Sequence, residues 1–590
     1  VTAVSFYLWI TTRVGPAFAS GQPIGTALKA RNDQPFGHGN YVAAFSLLAL
    51  GTMGACLVRA SHRWARLGWY AGVIAGLVIL FSSGSRAGLI ALVAGLGGFV
   101  FMSRSALPRL SRKHGALVVL GMFLVLAAGV LSNSRLREFV QHGRWNAVSQ
   151  ESNQQRLGMA QAAVTLGLEH PLFGWGPGAI PQVFPSVRAA AAGNVDNVIQ
   201  VHSSVLQTWA TLGVPGMIAV LLIATGSVSA LVRRSPATGS TDRLETRETA
   251  ALGAGLTAFA VYSFFDHSLD IPAMALLACA ALGVVALPRT APSAPSAFRI
   301  VAPLAAAVLA LLLAGGVYHD QLARRAYSEA LDSVVRRDPA GFQAALQRAD
   351  RAVPDATYAS HVLASWLATG QPFSHQPPLA DNGAAAIAPL EASLLRNPFL
   401  EYAHYNLGWL YLAAQPAKAE KHFLSAALLA PHRIGVHLGL GLARMAQNNL
   451  AGAANAFAAE WVNDPRQAFD PLFREPALAE LTQKTTALAQ DFLRSQIQAH
   501  HLDSRQVDEV VATWHREDLR HVAAGTPFRR VRPGYGVLMG FPEGRPPADV
   551  NVMTAPQLPP AVQASLPRPG WVNGERLLAL ALGERGSGKP

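Results

Sequence analysis

Charge is scarce in this sequence. Asp, Glu, Lys and Arg make up 14 % of the residues, against about 25 % in an average soluble protein, and 51 % are hydrophobic. This balance excludes an ordinary soluble protein for the whole chain. The long apolar runs lie before residue 318, and the remainder resembles a soluble helical protein. We therefore predict an all-α chain in which a membrane domain, 1–318, precedes a soluble domain.

Cysteine is nearly missing. Cys56 and Cys279 both lie inside apolar runs, so neither a disulfide framework nor a cysteine metal site is predicted. The sequence also lacks HExxH, P-loop and GxSxG patterns. The GWGPG stretch has no Rossmann-type strand and helix around it, and these glycines indicate a tight turn instead. We predict no metal and no cofactor.

The net charge of +13 would suit a nucleic-acid partner, but many arginines lie in short loops between apolar runs. Such arginines orient a protein in a bilayer, so we predict membrane lipids and no nucleic acid as partners. The first apolar run, 1–12, is too short to cross about 30 Å of hydrocarbon, so we expect upstream spans to be missing. The predicted spans lie at 41–58, 67–83, 87–103, 115–131, 204–232, 250–265, 271–287 and 300–317.

The loops between these runs alternate in charge. The loops that are rich in basic residues, and therefore predicted to be cytoplasmic, lie at 59–66, 104–114, 233–247 and 288–299. Alternation then places 13–40, 82–86, 132–203, 266–270 and the chain after 318 on the outer side. The long loop 132–203 is predicted to contain helices and to carry function.

Residues 319–525 read as amphipathic helices that end at prolines, and from 526 to 590 the chain is rich in Pro and Gly and is predicted to be partly disordered. The clearest unit begins at Glu401, and a second follows at the period of about 34 residues that tetratricopeptide repeats have. The positions that fit the repeat are Leu407, Gly408, Tyr411, Ala419, Phe423, Ala426 and Pro431, then Ala453, Phe457 and Pro465. Such repeats expose a concave surface that suits a protein partner.

Three residues are candidates for chemistry at the outer face. Arg86 follows Ser83-Gly-Ser at the mouth between two spans, where a guanidinium could bind phosphate oxygens or merely reach lipid headgroups. Arg156 lies on a sparsely charged helix of the outer loop and could equally be a solvated arginine. His202 directly precedes a span and could accept a proton, although an interfacial histidine is common.

Two acids, Asp266 and Asp270, flank His267 in a short outer turn. Acids at membrane depth can orient a base or a cation, or simply mark the water boundary. Together with Arg31 and Asn40 they form our set of possible supporting residues.

Three blocks resemble the O-antigen ligase family of bacterial inner-membrane proteins, which also contains polysaccharide polymerases and protein O-oligosaccharyltransferases. They are FGHGNYVAAF, SGSRAGLIAL, and HPLFGWGPG with the later histidine, LQTW and GVPGM. The resemblance covers roughly residues 30–290. Two positions depart from the family pattern: Ser203 stands where asparagine is usual, and Gly39 where proline is usual.

The resemblance implies a metal-independent glycosyltransferase that takes a glycan from undecaprenyl diphosphate at the periplasmic face. By motif position, Arg86 and Arg156 would bind the diphosphate and His202 would activate the acceptor hydroxyl. The acceptor could be a lipid, a glycan or a protein, so ligase, polymerase and protein glycosylation all stay open. A non-catalytic membrane scaffold is the rival from another class. A transporter is disfavoured because no inverted repeat is visible.

Overall fold

A computed structural model of the chain describes residues 1–103, 127–130, 133–190, 198–233, 243–286, 311–352, 383–499, 502–519 and 558–584, with short gaps at 29, 128, 144–146, 199 and between 312 and 337. Across these residues the secondary structure is helical, without a strand, which confirms the all-α prediction. The predicted spans 115–131 and 300–317 and the basic loops 104–114 and 288–299 lie largely outside the described residues. Contacts divide the chain into two compact units, one of 1–178 with 200–294, the other of 179–199 with 295–590.

The first unit is a bundle of apolar helices with a helical outer loop. Its longer described helices are α1 (Thr2–Trp9), α2 (Gly39–Arg59), α3 (Arg63–Ser82), α4 (Arg86–Ser103), α5 (Ser134–His142), α6 (Ala147–Glu169), α7 (Ser204–Arg233), α8 (Arg243–Ser263) and α9 (Pro272–Ala286). Four described helices are long and apolar enough to cross a membrane, namely α2, α3, α4 and Ser204–Ser229 of α7. A membrane protein is therefore confirmed.

Small residues bring the core helices of this unit together. A methyl group on Gly51 of α2 would lie 2.7 Å from the Cα of Gly255 in α8, and one on Gly95 of α4 would lie 2.8 Å from the carbonyl oxygen of Ala254. Lipid provides no hydrophobic drive for helices to associate, so close backbone approach and van der Waals contact must supply it. Larger residues at these positions would separate α8 from α2 and α4.

The second unit is a series of helices around an apolar core. Its helices are α10 (Pro339–Ala352), α11 (Ile387–Arg396), α12 (Glu401–Tyr411), α13 (Pro416–Leu429), α14 (Val436–Ala446), α15 (Leu450–Asn463), α16 (Ala479–Gln498), α17 (Ser504–Trp514), α18 (Pro560–Ser565) and α19 (Gly574–Leu582). Phe423 of α13 packs where Gly408 and Gly439 leave room, since a methyl on either glycine would come within 2.8 Å of its ring. This is the small-against-aromatic packing that the repeat pattern predicts, but membership in the tetratricopeptide family stays a prediction.

Two further segments of the chain belong to the second unit. Residues 179–190, inside the predicted outer loop, pack with this unit, where buried Arg188 forms an ion pair with buried Glu401. The last described part of the chain, 558–584, contains the short helices α18 and α19. Trp571 Nε1 donates to the Val462 carbonyl, and Leu577 is fully buried in the core. The sequence did not predict that this segment packs with the second unit, because Pro and Gly dominate the residues before it.

A buried carboxylate holds the start of α14. Glu460 of α15 accepts hydrogen bonds from the backbone N–H groups of Gly435, His437 and Leu438 at 2.7, 3.1 and 3.0 Å. These N–H groups have no partner within the helix. Burial raises the pKa of Glu460 to about 7, although the three donors oppose that rise.

Because the pKa of Glu460 is raised in the folded protein, its contribution to stability is present at low pH and is lost as the pH rises through about 7. We expect the unfolding temperature of the second unit, followed by tryptophan fluorescence of the purified protein in detergent, to fall between about pH 5 and about pH 8. Glu460→Gln should flatten this dependence, and Glu480→Gln, at an exposed position of α16, should not. Equal pH profiles for wild type and Glu460→Gln would contradict the assignment.

Candidate active site

Five residues from the predicted site line one cavity in the first unit, with a volume of about 710 Å³. They are Arg31, Asn40, Arg86, Arg156 and His202. They come from the loop before α2, the start of α2, the start of α4, the middle of α6 and the residues before α7. The loops predicted to share one side of the membrane therefore meet at one end of the bundle.

The SGSR block fixes Arg86 through its serines. Ser85 Oγ accepts the backbone N–H of Gly88 at 3.2 Å and caps α4, so Arg86 is the first residue of that helix. Gly84 has φ +67°, which allows the sharp turn from α3 into the cap. Ser85 Oγ also lies 3.3 Å from the buried Tyr262 hydroxyl of α8. The SGSR block is thus held by its bonds to α4 and to α8.

Arg31 binds across the mouth between α2 and α3. Its Nε donates to the Ser83 carbonyl at 2.8 Å, and an Nη donates to Asn40 Oδ1 at 3.1 Å. Gly39 makes room for this, because a Cβ there would lie 2.5 Å from Arg31 Nε and 2.7 Å from the Ser83 oxygen. The family usually has proline at this position. Here the glycine leaves the space that the Arg31 guanidinium occupies.

Arg86 and Arg156 are connected through α6. Arg86 Nη2 donates to Asn153 Oδ1 at 3.0 Å. Arg156 follows Asn153 by three residues, so both side chains lie on the same face of α6. Both arginines are half-buried and both line the cavity. Two guanidinium groups facing one cavity can hold a doubly charged anion in bidentate contacts.

His202 contacts a buried acid. Its Nδ1 lies 3.3 Å from Asp266 Oδ1, within hydrogen-bond distance, and Asp266 is fully buried. The Nδ1 of His267 lies 3.2 Å from the same oxygen without making a hydrogen bond. Burial would raise the pKa of Asp266, but the hydrogen bond from His202 and the neighbouring imidazole of His267 hold that pKa well below its usual range. The carboxylate therefore stays ionised and favours a proton on His202 Nδ1.

The turn that carries Asp266 is tied to the start of α7. The Asp266 carbonyl accepts from both the backbone N–H and the Oγ of Ser204, each at 3.0 Å. Ser203 Oγ accepts the Leu206 N–H at 3.3 Å and caps α7. Serine and asparagine cap helices about equally well, so Ser203 performs the capping that the family's asparagine could perform. Asp270, by contrast, is exposed and does not line the cavity.

The GWGPG turn closes a break in α7. Gly213 has φ +58° and ψ −146°, and Pro215 has no N–H to donate, so the carbonyls of Ala210 and Thr211 lose their helical partners. Trp175 N–H donates to the first at 3.0 Å and Gly176 N–H to the second at 2.9 Å, while Val214 N–H donates to the Pro171 carbonyl at 2.9 Å. We call these three hydrogen bonds the kink lock. They account for the GWGPG motif as a tight turn, as the sequence predicted.

Tryptophans join α6 to α7 next to the kink lock. Trp175 Nε1 donates to the Leu166 carbonyl at 3.0 Å, and Trp209 Nε1 to the Val164 carbonyl at 3.4 Å. Trp209 lies over Gly167, where a methyl group would come within 2.1 Å of its Nε1. The helix of Arg156 and the helix that follows His202 are therefore fixed to each other.

Sequence reasoning missed three polar residues of the cavity region. His38 lines the cavity and accepts the Asn40 N–H at 3.3 Å, and Asn133 donates to the Gly84 carbonyl at 2.9 Å. Asn153, which binds Arg86, is the third. Burial and the charge of Arg31 lower the pKa of His38, so this second histidine of the site is neutral near pH 7. Its position in the FGHGN block, directly before a predicted span, was the available signal.

One group of described residues could hold a metal ion: the ligand atoms of His202, Asp266 and His267 lie within 4.8 Å of one another. His267 already has another contact, since the Tyr41 hydroxyl lies 2.8 Å from its Nε2. Hydrogen bonding and charge attraction account for this arrangement, so it does not require a cation. The absence of a metal stays a prediction.

A polytopic helical membrane protein with a cationic cavity and an oriented histidine is the class that the fold and this geometry define. Residues 71–221, about a quarter of the chain, match the family model described as O-antigen ligase. The match contains Arg86, Arg156 and His202 and supports the resemblance to this family that the three blocks show. That family comprises membrane glycan transferases that use lipid-linked glycan donors. Comparisons with curated proteins and with solved structures found no match.

A pair of glycines tests the kink lock. Gly174 and Gly178 both have positive φ, so alanine is strained at either. Only at Gly174 would the methyl also collide, 2.3 Å from the Thr211 carbonyl carbon, whereas nothing lies within 4 Å at Gly178. We expect Gly174→Ala to lower the unfolding temperature in detergent clearly more than Gly178→Ala. Equal shifts would mean that backbone strain alone, and not the lock, matters there.

Proposed function

We propose that this chain transfers a glycan from undecaprenyl diphosphate to an acceptor hydroxyl at the periplasmic face of the bacterial inner membrane. The observation that carries the proposal is the cavity in which Arg31, Arg86, Arg156 and His202 meet at one end of an apolar bundle. A cationic site at the end of membrane helices suits an anionic group that is anchored in lipid. The rest of the cavity wall includes Trp9, Leu28, Phe81, Met159 and Phe265, which suits an apolar tail.

The arginines would bind the diphosphate. In the transfer, the bond between the sugar's anomeric carbon and the diphosphate oxygen breaks, and the electron pair stays on the leaving diphosphate. Fixed cations around that oxygen stabilise the developing negative charge without reorganising. Asn153 and Asn40 would hold Arg86 and Arg31 in place for this purpose.

His202 would act as the base. The acceptor oxygen forms the new bond to the anomeric carbon and loses its proton to His202 Nε2, because Nδ1 faces Asp266. The ionised Asp266 would fix the imidazole tautomer and stabilise the imidazolium that results. Ser204 would position Asp266 through the two hydrogen bonds to its carbonyl.

The two acids of one turn offer a matched test of this arrangement. We expect His202→Ala to lower transfer by about 10²–10⁴-fold, and Asp266→Asn to lower it by at least about tenfold. Asp270→Asn, four residues away and outside the cavity, should leave transfer unchanged. The measurement is complementation of a deletion strain, with quantification of surface glycan and undecaprenyl-linked intermediates. Full complementation by His202→Ala would favour the non-catalytic scaffold.

The arginines offer a second test. Arg86→Ala and Arg156→Ala should each reduce transfer by about a hundredfold or more, and lysine at either position should restore only part of it, because an ammonium lacks the planar fork. Arg63→Ala, at the exposed start of α3, is the control. Binding of a lipid-linked donor to purified protein should weaken in the two cavity variants. Unchanged donor binding in both would remove these residues from the diphosphate site.

The product that the deletion strain loses identifies the acceptor. Loss of glycan from lipid would make the protein a ligase, loss of chain length would make it a polymerase, and loss from protein would make it an O-oligosaccharyltransferase. The second unit, with its predicted repeats, would recognise a protein or a glycan chain, in line with the partner surface that stacked helical repeats expose.

A further inference from the structure

The kink lock lies at the edge of the apolar part of α7. From Gly213 to Arg233 the helix is about 30 Å long at a rise of about 1.5 Å per residue, which equals the hydrocarbon thickness of a bilayer. When Arg233 lies at one boundary of the hydrocarbon layer, Gly213 therefore lies at the opposite boundary. The turn 171–174, which is bonded to the kink, is therefore held at the level of the opposite lipid surface.

The end of α6 and that turn carry exposed apolar side chains. Leu168, Leu172 and Phe173 are 66, 68 and 76 % exposed, although large apolar residues usually avoid water in a structured loop. Beside them, Leu212 and Val214 of α7 are also exposed, and the exposed face continues into the span at Ile218. We call Leu168, Leu172, Phe173, Leu212 and Val214 the interface patch. It is continuous with the exposed apolar side of the candidate span in α7.

The backbone of the turn is suited to a place without water. Non-helical backbone is tolerated at membrane depth only when its polar groups are bonded within the protein. Here Trp175, Gly176 and Val214 donate to the carbonyls that the kink exposes and that the turn contributes. Glu169 and His170 are exposed beside the patch. Glu169 points about 100° away from Leu168 around α6, so it can stay at headgroup level.

We propose that the interface patch inserts into the outer boundary of the lipid bilayer and anchors the C-terminal end of α6 there. The partner is the lipid itself, since the patch continues the lipid-facing side of α7. If the proposed function holds, this anchor would fix the height of Arg156 relative to the lipid surface where the donor diphosphate lies. The anchor itself does not depend on that function.

The test uses a fluorescent label in lipid vesicles. Cys56 and Cys279 are replaced by serine, and Phe173→Cys or Leu172→Cys is labelled with an environment-sensitive fluorophore. The protein is reconstituted in phosphatidylethanolamine and phosphatidylglycerol vesicles, some with a spin label on the acyl chain near the headgroup. We expect blue-shifted emission and strong quenching by these lipids. Ile218→Cys, exposed in the span close to the same boundary, is the positive control, and Gln141→Cys, exposed on α5, is the aqueous control.

Emission at 172 and 173 that matches the Gln141 label would overturn the proposal, because the patch would then face water. A blue shift without quenching would overturn it too, since a protein surface or a second copy would then cover the patch. Quenching at Ile218 verifies reconstitution in each preparation. Because no outcome involves glycan transfer, failure of the anchor and failure of the proposed function are distinguishable.

Discussion

A membrane helix must satisfy its backbone hydrogen bonds within the protein, and α7 breaks inside its apolar run. The carbonyls that Gly213 and Pro215 release would each lose a partner in lipid, which costs several kcal/mol per group. The turn that follows α6 supplies the missing donors and receives one in return. This exchange fixes α6 against α7. The positions of Arg156 and His202 depend on it, since each lies on or next to one of these helices.

The charged side chains of the cavity are also held by hydrogen bonds within the protein. Several arginines and histidines meet where apolar helices end, and Arg31, Arg86 and Asp266 each have an identified hydrogen-bond partner there. Arg31 donates hydrogen bonds to Ser83 and Asn40, and Arg86 donates one to Asn153. Asp266 lies within hydrogen-bond distance of His202. The hydrogen bonds to Ser83, Asn40 and Asn153 fix the positions of the Arg31 and Arg86 guanidinium groups at the cavity wall. Asp266, a buried acid beside the cavity, instead contacts His202.

Much of this could be predicted from the sequence. Apolar runs predict spans because the bilayer sets their length, and most predicted limits lie within a few residues of the described helices. The SGSR and FGHGN blocks could be assigned to span mouths, and the glycines of GWGPG to a turn. Asn153 and Asn133 could not be identified, since an amide on a loop helix carries no signal until its partner is known. The packing of 179–190 and 558–584 with the second unit depends on long-range contacts that no local pattern reports.

The sequence by itself therefore determined the class of the chain, the helical runs and the residues that resemble the ligase family, because hydropathy and short motifs are local properties. Only the tertiary structure decided that Arg31, Arg86, Arg156 and His202 line one cavity, that Asp266 rather than Asp270 contacts the histidine, and that Gly174 packs against the break in α7. These facts depend on distances between segments far apart in the chain. Such distances are set by how closely small residues let the helices approach and by which polar groups remain to be bonded.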